Sequence, residues 1–226
     1  MNIAIIAARG GSKRIKKKNI KKFRGKPIIF YSIKAAIKSK CFKRIIVSTD
    51  DLSIARVAKK YGAEVPFIRS KKLSKDDISN RQVIQDVLNK INLDNIKYVC
   101  QIFAAAPFIR PEDIKNSLKK LKQNSRVDFC FTVSSYPHPI QRSLKINKKG
   151  RIEMFYPKFR TYKSQNLVKS YHDAAQFYWG KVNSIKKNKI TFSKVSIPFI
   201  IPRYRCIDID DKEDWKQALK MSNYLF

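Results

Sequence analysis

Short apolar runs that alternate with amphipathic helical segments constrain the fold of this chain most. The run NIAIIAA at residues 2–8 is apolar after its first residue, as expected of a strand buried in a parallel sheet. Similar runs are RIIVST at 44–49, KYVCQIFA at 97–104 and DFCFTVSS at 128–135. Helical patterns lie between them and begin at favourable capping or proline positions, namely Pro27, Asp50 or Asp51, Ser79 or Asn80, and Pro111. These alternations predict an α/β fold with a Rossmann-like, doubly wound, mostly parallel sheet.

The second half of the chain does not continue this alternation of strands and helices. Residues at about 136–170 are polar and irregular, apart from two alternating runs that flank the turn NKKG and predict a small antiparallel hairpin. We interpret this segment as an insertion that acts as a lid or a dimerisation arm within a single domain of residues 1–226. Residues 174–180 are expected to resume the sheet. EVPFIR at 64–69 and CIDID at 206–210 are expected to form short strands, and the last helix is expected to follow Asp211.

Several protein classes are excluded by simple features. The apolar runs are far too short to span a bilayer, so no membrane partner is expected. The chain begins with an apolar run and lacks a basic leader segment with a cleavage site, which argues against a signal peptide. The four cysteines are far apart and form no C-x-x-C pair. They are typical of reduced thiols, and we expect a cytoplasmic protein.

The net charge of +33 comes from 50 Lys and Arg residues against 17 Asp and Glu residues. Such an excess raises the alternative of a non-catalytic basic α/β protein that binds nucleic acid or another polyanion. The lysines are spread along the whole chain, however, as composition bias in the gene would produce. We therefore expect no nucleic-acid partner, although a positive field would still attract an anionic substrate.

A glycine-rich basic loop follows the first predicted strand. It reads Arg9-Gly10-Gly11-Ser12-Lys13-Arg14, with Lys18 and Asn19 further on. Glycines let the backbone approach a ligand closely, and successive N–H groups can hold phosphate oxygens. The loop matches neither G-x-x-x-x-G-K-[ST] nor G-x-G-x-x-G, so it indicates neither a P-loop nor a dinucleotide site. The alternative is an ordinary turn in a lysine-rich chain.

Paired carboxylates lie near the end of the chain, in IDIDD at 207–211. On a strand, Asp208 and Asp210 would point the same way at a distance of about 7 Å. Such a pair suits Mg²⁺, which commonly takes one or two carboxylates together with substrate phosphates. The alternative is that one acid caps the last helix, and we assign that role to Asp211.

Two further segments could line a ligand pocket. Gln101 and the small residues 104–106 lie where a strand runs into a helix, so that a flat ligand could lie on the backbone, although ordinary turn packing explains them equally well. YHDAAQFYWG at 171–180 is rich in the polar and aromatic groups that line sugar pockets, although Phe177 and Trp179 suit a core. With only two histidines and no G-x-S-x-G sequence, neither a histidine metal site nor a Ser-His-Asp triad is supported.

Taken in order, these segments resemble the CMP-sialic acid synthetase family, which makes CMP-activated nonulosonic acids. The similar stretches, which are spread along nearly the whole chain, are IAIIAARGGSKRIKKKN, KPIIFYSIKAAIKS, RIIVSTDDLSIARVAKKYGAEVPFIR, CQIFAAAPFIRPEDI and IDIDDKEDW. SYPHPIQRSLKI, YHDAAQFYWG and PRYRCIDIDDKEDW most resemble the pseudaminic acid branch. N-acetylneuraminic and legionaminic acid remain alternative substrates. The resemblance implies a nucleotide-diphospho-sugar transferase type of sheet, a homodimer and a Mg²⁺-dependent reaction with CTP.

The resemblance also implies roles for individual residues. Arg9 and Lys18 would bind the triphosphate and stabilise charge on the transferring phosphorus. Asp208 and Asp210 would bind Mg²⁺. The remaining assignments are a nucleotide group, Ala8, Gly10, Gly11, Ser12, Asn19, Arg69 and Ala106, and a sugar-acid group, Gln101, Gln176 and Tyr178. Two departures from the family pattern are Ala8, which replaces a usual proline, and Ala105-Ala106, which replace a polar pair and so lack its side-chain hydrogen bonds.

Overall fold

Ten strands and six α-helices make up the computed structural model, which describes residues 1–226. The strands are β1 (Asn2–Ala7), β2 (Lys22–Phe23), β3 (Lys26–Pro27), β4 (Arg44–Ser48), β5 (Tyr98–Phe103), β6 (Phe129–Ser135), β7 (Leu144–Ile146), β8 (Ile152–Met154), β9 (Tyr171–Lys181) and β10 (Ser196–Ile200). The helices are α1 (Ile29–Ser39), α2 (Leu52–Lys60), α3 (Asn80–Lys90), α4 (Pro111–Lys122), α5 (Val182–Lys186) and α6 (Lys212–Leu225).

Six strands form the central sheet in the order β10-β6-β9-β5-β1-β4. β1 pairs in parallel with β4 and β5, and β10 pairs in parallel with β6. Only β9 runs antiparallel, between β5 and β6. The predicted α/β, mostly parallel sheet is therefore confirmed, and the carboxyl ends of β1, β4 and β5 meet at one edge.

Core packing on both faces of the sheet explains the unbroken apolar runs. In β1, Ala4 and Ile6 belong to a core cluster with Ile33 of α1 and Ile114 of α4. The alternate β1 residues, including Ile3, belong to the cluster on the opposite face, which holds α3 and α5. Because successive side chains of a strand point to opposite faces, a strand covered on both sides has to be apolar throughout.

Side-chain caps fix where several helices begin. The carboxylate of Asp51 accepts hydrogen bonds from the second and third residues of α2, at 2.6 and 3.0 Å. Ser79 and Gln82 form a capping box at the start of α3, and Asp211 and Asp214 form one at the start of α6. The predicted caps Asp51 and Asp211 are therefore present, which fixes the positions of the loops just before these helices.

Two predicted strands are absent. EVPFIR at 64–69 makes only isolated bridges, Ile46 with Glu64 and Thr49 with Ile68. CIDID at 206–210 has no strand conformation, and β10 instead forms the edge beside β6. The alternating pattern of CIDID has another cause, because Ile209 is fully buried in a third core cluster with Phe23 and Trp215.

The segment 136–170 lies outside the central sheet. It holds the predicted hairpin, in which β7 and β8 pair antiparallel with Ile146 opposite Ile152. The rest of the segment is turns and short 3₁₀ helices. Among the helices of the whole chain, none combines the length and the apolar character needed to cross a membrane.

Candidate active site

A cleft of about 300 Å³ opens at the carboxyl ends of β1 and β5. Its walls come from the loop after β1, the segment between β4 and α3, the end of β5 and the segment before α6. The cleft brings together seven of the residues assigned from sequence, namely Arg9, Ser12, Lys18, Asn19, Arg69, Asp208 and Asp210. This is the edge at which open α/β sheets bind their ligands.

The loop after β1 is fixed by short polar contacts. The N–H of Gly10 donates to the Asp50 carboxylate at 2.9 Å, and the buried side chain of Asn19 donates to the Arg9 carbonyl at 3.0 Å. A Cβ on Gly10 would lie 2.8 Å from Cβ of Asp51, whereas a Cβ on Gly11 would meet no atom within 4 Å. The absence of a side chain at Gly10 therefore allows the loop to pack against the start of α2. At Gly11 there is open space beside the backbone of the loop.

The basic loop also contacts the acidic segment at the far end of the chain. Nζ of Lys18 donates to the Ile209 carbonyl at 2.6 Å and lies 3.5 Å from the Asp210 carboxylate. The Arg14 guanidinium lies 3.0 Å from the same carboxylate. Cations and carboxylates thus face one another across one cleft, an arrangement suited to a phosphate-bearing ligand with a bound cation.

The surroundings of Asp208 disfavour its charged form. Burial, together with the nearby Asp210 carboxylate, raises the pKa of Asp208 above its usual value, although the Lys18 ammonium opposes the shift. A divalent cation would relieve that repulsion. No cluster of three or more possible metal-ligating side chains occurs in the chain, so the protein alone offers at most a pair of carboxylates here. That donor set fits Mg²⁺ whose remaining ligands are water and substrate oxygens.

Of the remaining residues assigned to the nucleotide, Arg69 lines the cleft and the others do not. Arg69 is buried at the cleft wall, where Nη2 lies 3.7 Å from the Asp50 carboxylate and burial lowers the pKa of the guanidinium. Ala8 and Ala106 are buried in the core and do not line the cleft, whereas Ala105 does. Gly10 and Gly11 act through the shape of the loop and do not line the cleft themselves.

The three residues assigned to the sugar acid lie beyond the cleft. Gln101 and Tyr178 are register partners on β5 and β9 and line an open recess of about 470 Å³. Asn80 and Phe103 line both the recess and the cleft, so the two cavities adjoin. Gln176 lies outside both, because its buried amide donates to the Arg205 carbonyl at 2.7 Å.

Hydrogen bonding and burial fix the Tyr178 side chain. Its hydroxyl donates to the Asp173 carboxylate. Burial, followed by the Asp173 charge, raises the pKa of Tyr178, so the phenol stays protonated at neutral pH. Tyr178 therefore presents a fixed aromatic wall to the recess, packed edge-on against Phe103.

Comparison with known proteins identifies the family. A family model described as cytidylyltransferase matches residues 3–200. The chain belongs to the cytidylyltransferase family. The family resemblance inferred from the sequence motifs is thereby confirmed.

Individual cytidylyltransferases are similar over almost their whole length. The pseudaminic acid cytidylyltransferase of Campylobacter jejuni is 40% identical over 219 residues, which cover 96% of this chain and 94% of the relative. The CMP-N,N'-diacetyllegionaminic acid synthase of Legionella pneumophila is 31% identical and covers 97% of this chain and 95% of its own. A CMP:2-keto-3-deoxy-manno-octonic acid synthetase complexed with CTP has a TM-score of 0.75 at 13% identity, covering 100% of this chain and 99% of that one, which supports the fold.

Asp76 is an acidic residue of the cleft that sequence reasoning missed. Its carboxylate lies 2.6 Å from Nη1 of Arg9 and also pairs with Lys13. Hydrogen bonds from Lys13 and Arg9 hold the pKa of Asp76 below its usual value. Nothing in the pattern SKDDISN distinguishes this acid from Asp77 beside it. In the structure, Asp76 forms ion pairs with Arg9 and Lys13, the same cations that a phosphate group would need as partners.

We expect Asp76→Ala to tighten nucleotide binding, because an incoming phosphate then no longer competes with a carboxylate for Arg9. The ion pairs are exposed and therefore weak, so the dissociation constant for CTP should fall only roughly twofold to fivefold. Isothermal titration calorimetry at fixed ionic strength measures this change. Asp77→Ala is the matched control, since it removes the same charge from the adjacent position. An equal gain from both variants would show a general charge effect and contradict the competition.

Proposed function

We propose that this cytidylyltransferase couples CTP to a nonulosonic acid, namely pseudaminic acid, to give the CMP-sugar and pyrophosphate. The observation that carries the proposal is the cleft lined by the Arg9 and Lys18 cations together with the Asp208 and Asp210 carboxylates, in which Lys18 lies beside Asp210. The choice of sugar acid rests on the 40% identity with the pseudaminic acid cytidylyltransferase, against 31% for the legionaminic acid enzyme.

The proposed reaction is an in-line displacement at phosphorus. The anomeric hydroxyl of the sugar acid attacks the α-phosphorus of CTP, the bond to the bridging oxygen breaks, pyrophosphate leaves and the hydroxyl proton passes to solvent. Arg9 and Lys18 would hold the phosphates and stabilise the charge that develops on the transferring group. The protein otherwise contributes positioning, since two substrates held in one geometry react far faster than free ones. Asp208 and Asp210 would hold Mg²⁺, which when bound neutralises phosphate charge and lowers the pKa of a bound hydroxyl.

Pyrophosphate release tests the reaction and the substrates together. The protein is assayed with Mg²⁺, one nucleoside triphosphate at a time, against pseudaminic, legionaminic, N-acetylneuraminic and keto-deoxyoctonic acids. Release only with CTP and pseudaminic acid is the expected result. Release with CTP and another acid would keep the reaction and replace the sugar. A folded protein that binds CTP but releases nothing with any acid would refute the proposed reaction.

Carboxylate variants test the proposed metal site. Asp208→Asn and Asp210→Asn should each raise the Mg²⁺ concentration that gives half-maximal turnover by at least about tenfold, because an amide is a far poorer ligand for a hard cation. Asp211→Asn is the control within the same segment, since asparagine keeps the helix cap while removing one charge. Wild-type turnover by both variants across the whole Mg²⁺ titration would overturn the assignment.

We also propose that the enzyme is a homodimer joined through the hairpin β7–β8. In an antiparallel pair, opposed residues share a face, so Leu144, Ile146, Ile152 and Met154 form one apolar face. Ile146 and Ile152 are 73% and 62% exposed, and a contiguous apolar surface left exposed in this way commonly marks an interface.

Light scattering after size exclusion measures the assembly. The wild type should have the mass of two chains, and Ile146→Asp with Ile152→Asp should have the mass of one, because a carboxylate cannot be buried unpaired in an apolar contact. Lys148→Asp, in the turn away from the apolar face, is the control. A monomeric wild type, or a double variant that remains a dimer, would exclude this interface.

A further inference from the structure

The recess beside the cleft has an unusual balance of charge. Its floor is formed by Gln101, Phe103 and Tyr178 of the neighbouring strands β5 and β9. Its rim holds Arg81 of α3 and Thr191 of the segment that follows α5. No acidic side chain lines it. In volume and lining it is typical of a small-molecule subsite, with one cation and no anion of the protein beside it.

Arg81 itself lacks a partner for most of its guanidinium. Nη1 makes one long hydrogen bond, 3.4 Å to Oγ1 of Thr191. Nε and Nη2 are shielded from solvent and have no hydrogen-bond partner. The guanidinium carbon lies 6.0 Å from the ring centre of Phe129. Burial lowers the pKa of Arg81, and no nearby carboxylate acts in the opposite direction.

The buried arginines elsewhere in the chain provide the contrast. Arg69 lies 3.7 Å from Asp50, and Arg205 lies 2.5 Å from Asp113. Each of these side chains therefore has an internal carboxylate, which is what burial of a guanidinium ordinarily requires. Arg81 is only partly buried, but its Nε and Nη2 are shielded from solvent without such a carboxylate. Such an arrangement favours a ligand that supplies the missing anion.

We propose that Arg81 binds the carboxylate of the sugar acid, with the Gln101 amide and the Thr191 hydroxyl as the neighbouring polar groups. This inference rests on the proposed function and names the residue that recognises the acid. A carboxylate supplies the opposite charge, and a guanidinium can donate two parallel hydrogen bonds to it once the side chain turns its shielded nitrogens toward the recess. The aromatic side chains of Phe103 and Tyr178 then face the apolar parts of the sugar.

The position of Arg81 also relates to the reaction. In a nonulosonic acid the carboxylate is attached to the anomeric carbon, next to the hydroxyl that attacks phosphorus. The recess meets the cleft at Asn80 and Phe103. A carboxylate held by Arg81 therefore directs the neighbouring hydroxyl toward the cleft that holds the phosphates. Arg81 would contribute to orientation as well as affinity, so its loss affects both KM and kcat.

Kinetics of Arg81→Met test the assignment, because methionine keeps most of the apolar length and removes the charge. The KM for the sugar acid should rise about tenfold to 100-fold, as expected for loss of hydrogen bonds to a charged group, while the dissociation constant for CTP stays unchanged. Arg110→Met is the matched control, since Arg110 is exposed at the start of α4 and lines neither cavity. A rise in the CTP constant with an unchanged KM for the acid would overturn the proposal.

A substrate analogue makes the test specific to the carboxylate. The carboxamide of the sugar acid should be a poor substrate for the wild type. Arg81→Met should discriminate little between acid and amide, because the group that recognises the charge is gone. Equal discrimination by both enzymes would show that the carboxylate binds elsewhere and would refute the assignment.

Two further variants keep the test decisive if Arg81→Met does not fold. Arg81→Lys keeps the charge but cannot form the paired hydrogen bonds, and Thr191→Val removes the contact that holds the guanidinium. Both should raise the KM for the acid by less than the methionine variant is expected to, and wild-type values in both would contradict the inference. The wild type is first assayed with the four sugar acids. If it uses none of them, the proposed function fails; if it uses one and Arg81 variants are unaffected, only this inference fails.

Discussion

The contact between Lys18 and the segment 208–210 is the interaction on which the site depends. It joins two stretches that are 191 residues apart in sequence, through a 2.6 Å hydrogen bond from Nζ to the Ile209 carbonyl. The same ammonium lies 3.5 Å from Asp210. Since CIDID is not a strand, no sheet hydrogen bonds hold it. Its place is set by burial of Ile209, by the α6 capping box and by this contact, so the cationic and acidic walls of the cleft are positioned by each other.

The double-sided core explains why these walls meet at one edge. β1 is covered on both faces, so its only free surface is its end, where the chain leaves the sheet at the basic loop. β5 lies beside it and ends at Phe103, next to the small residues Ala104 and Ala105 of the cleft. The antiparallel β9 brings Tyr178 beside Gln101 from the opposite chain direction. The single antiparallel strand β9 therefore helps to form the recess beside the cleft, because β5 and β9 together make the floor of the recess.

The sequence predicted features that depend on local chemistry. Apolar runs predicted β1, β4, β5 and β6, Asp51 and Asp211 were predicted as caps, and the glycine-rich loop after the first strand was placed at the binding edge. Features that depend on long-range packing were not predictable. The alternation in CIDID reflects packing of Ile209 against Trp215 and not a strand. Gln176 was assigned to the sugar pocket, but a bulge opposite Phe131–Val133 and a φ of 47° at Ala175 alter the local geometry of β9, and its amide is used inside the protein.

The two cavities differ in charge in a way that bears on which anion each one favours. The cleft has its own acids, so its cations are already neutralised in part by Asp76 and Asp210. A ligand entering there exchanges one set of ion pairs for another, which costs little and gains little unless it carries several charges, as a triphosphate does. The recess has a cation and no acid, so even a single carboxylate gains a full ion pair there. The cleft therefore favours the anion of higher charge, and the recess can hold an anion with a single charge. This difference arises from the protein's own ion pairs and needs no contact with the cytosine base or the sugar hydroxyls.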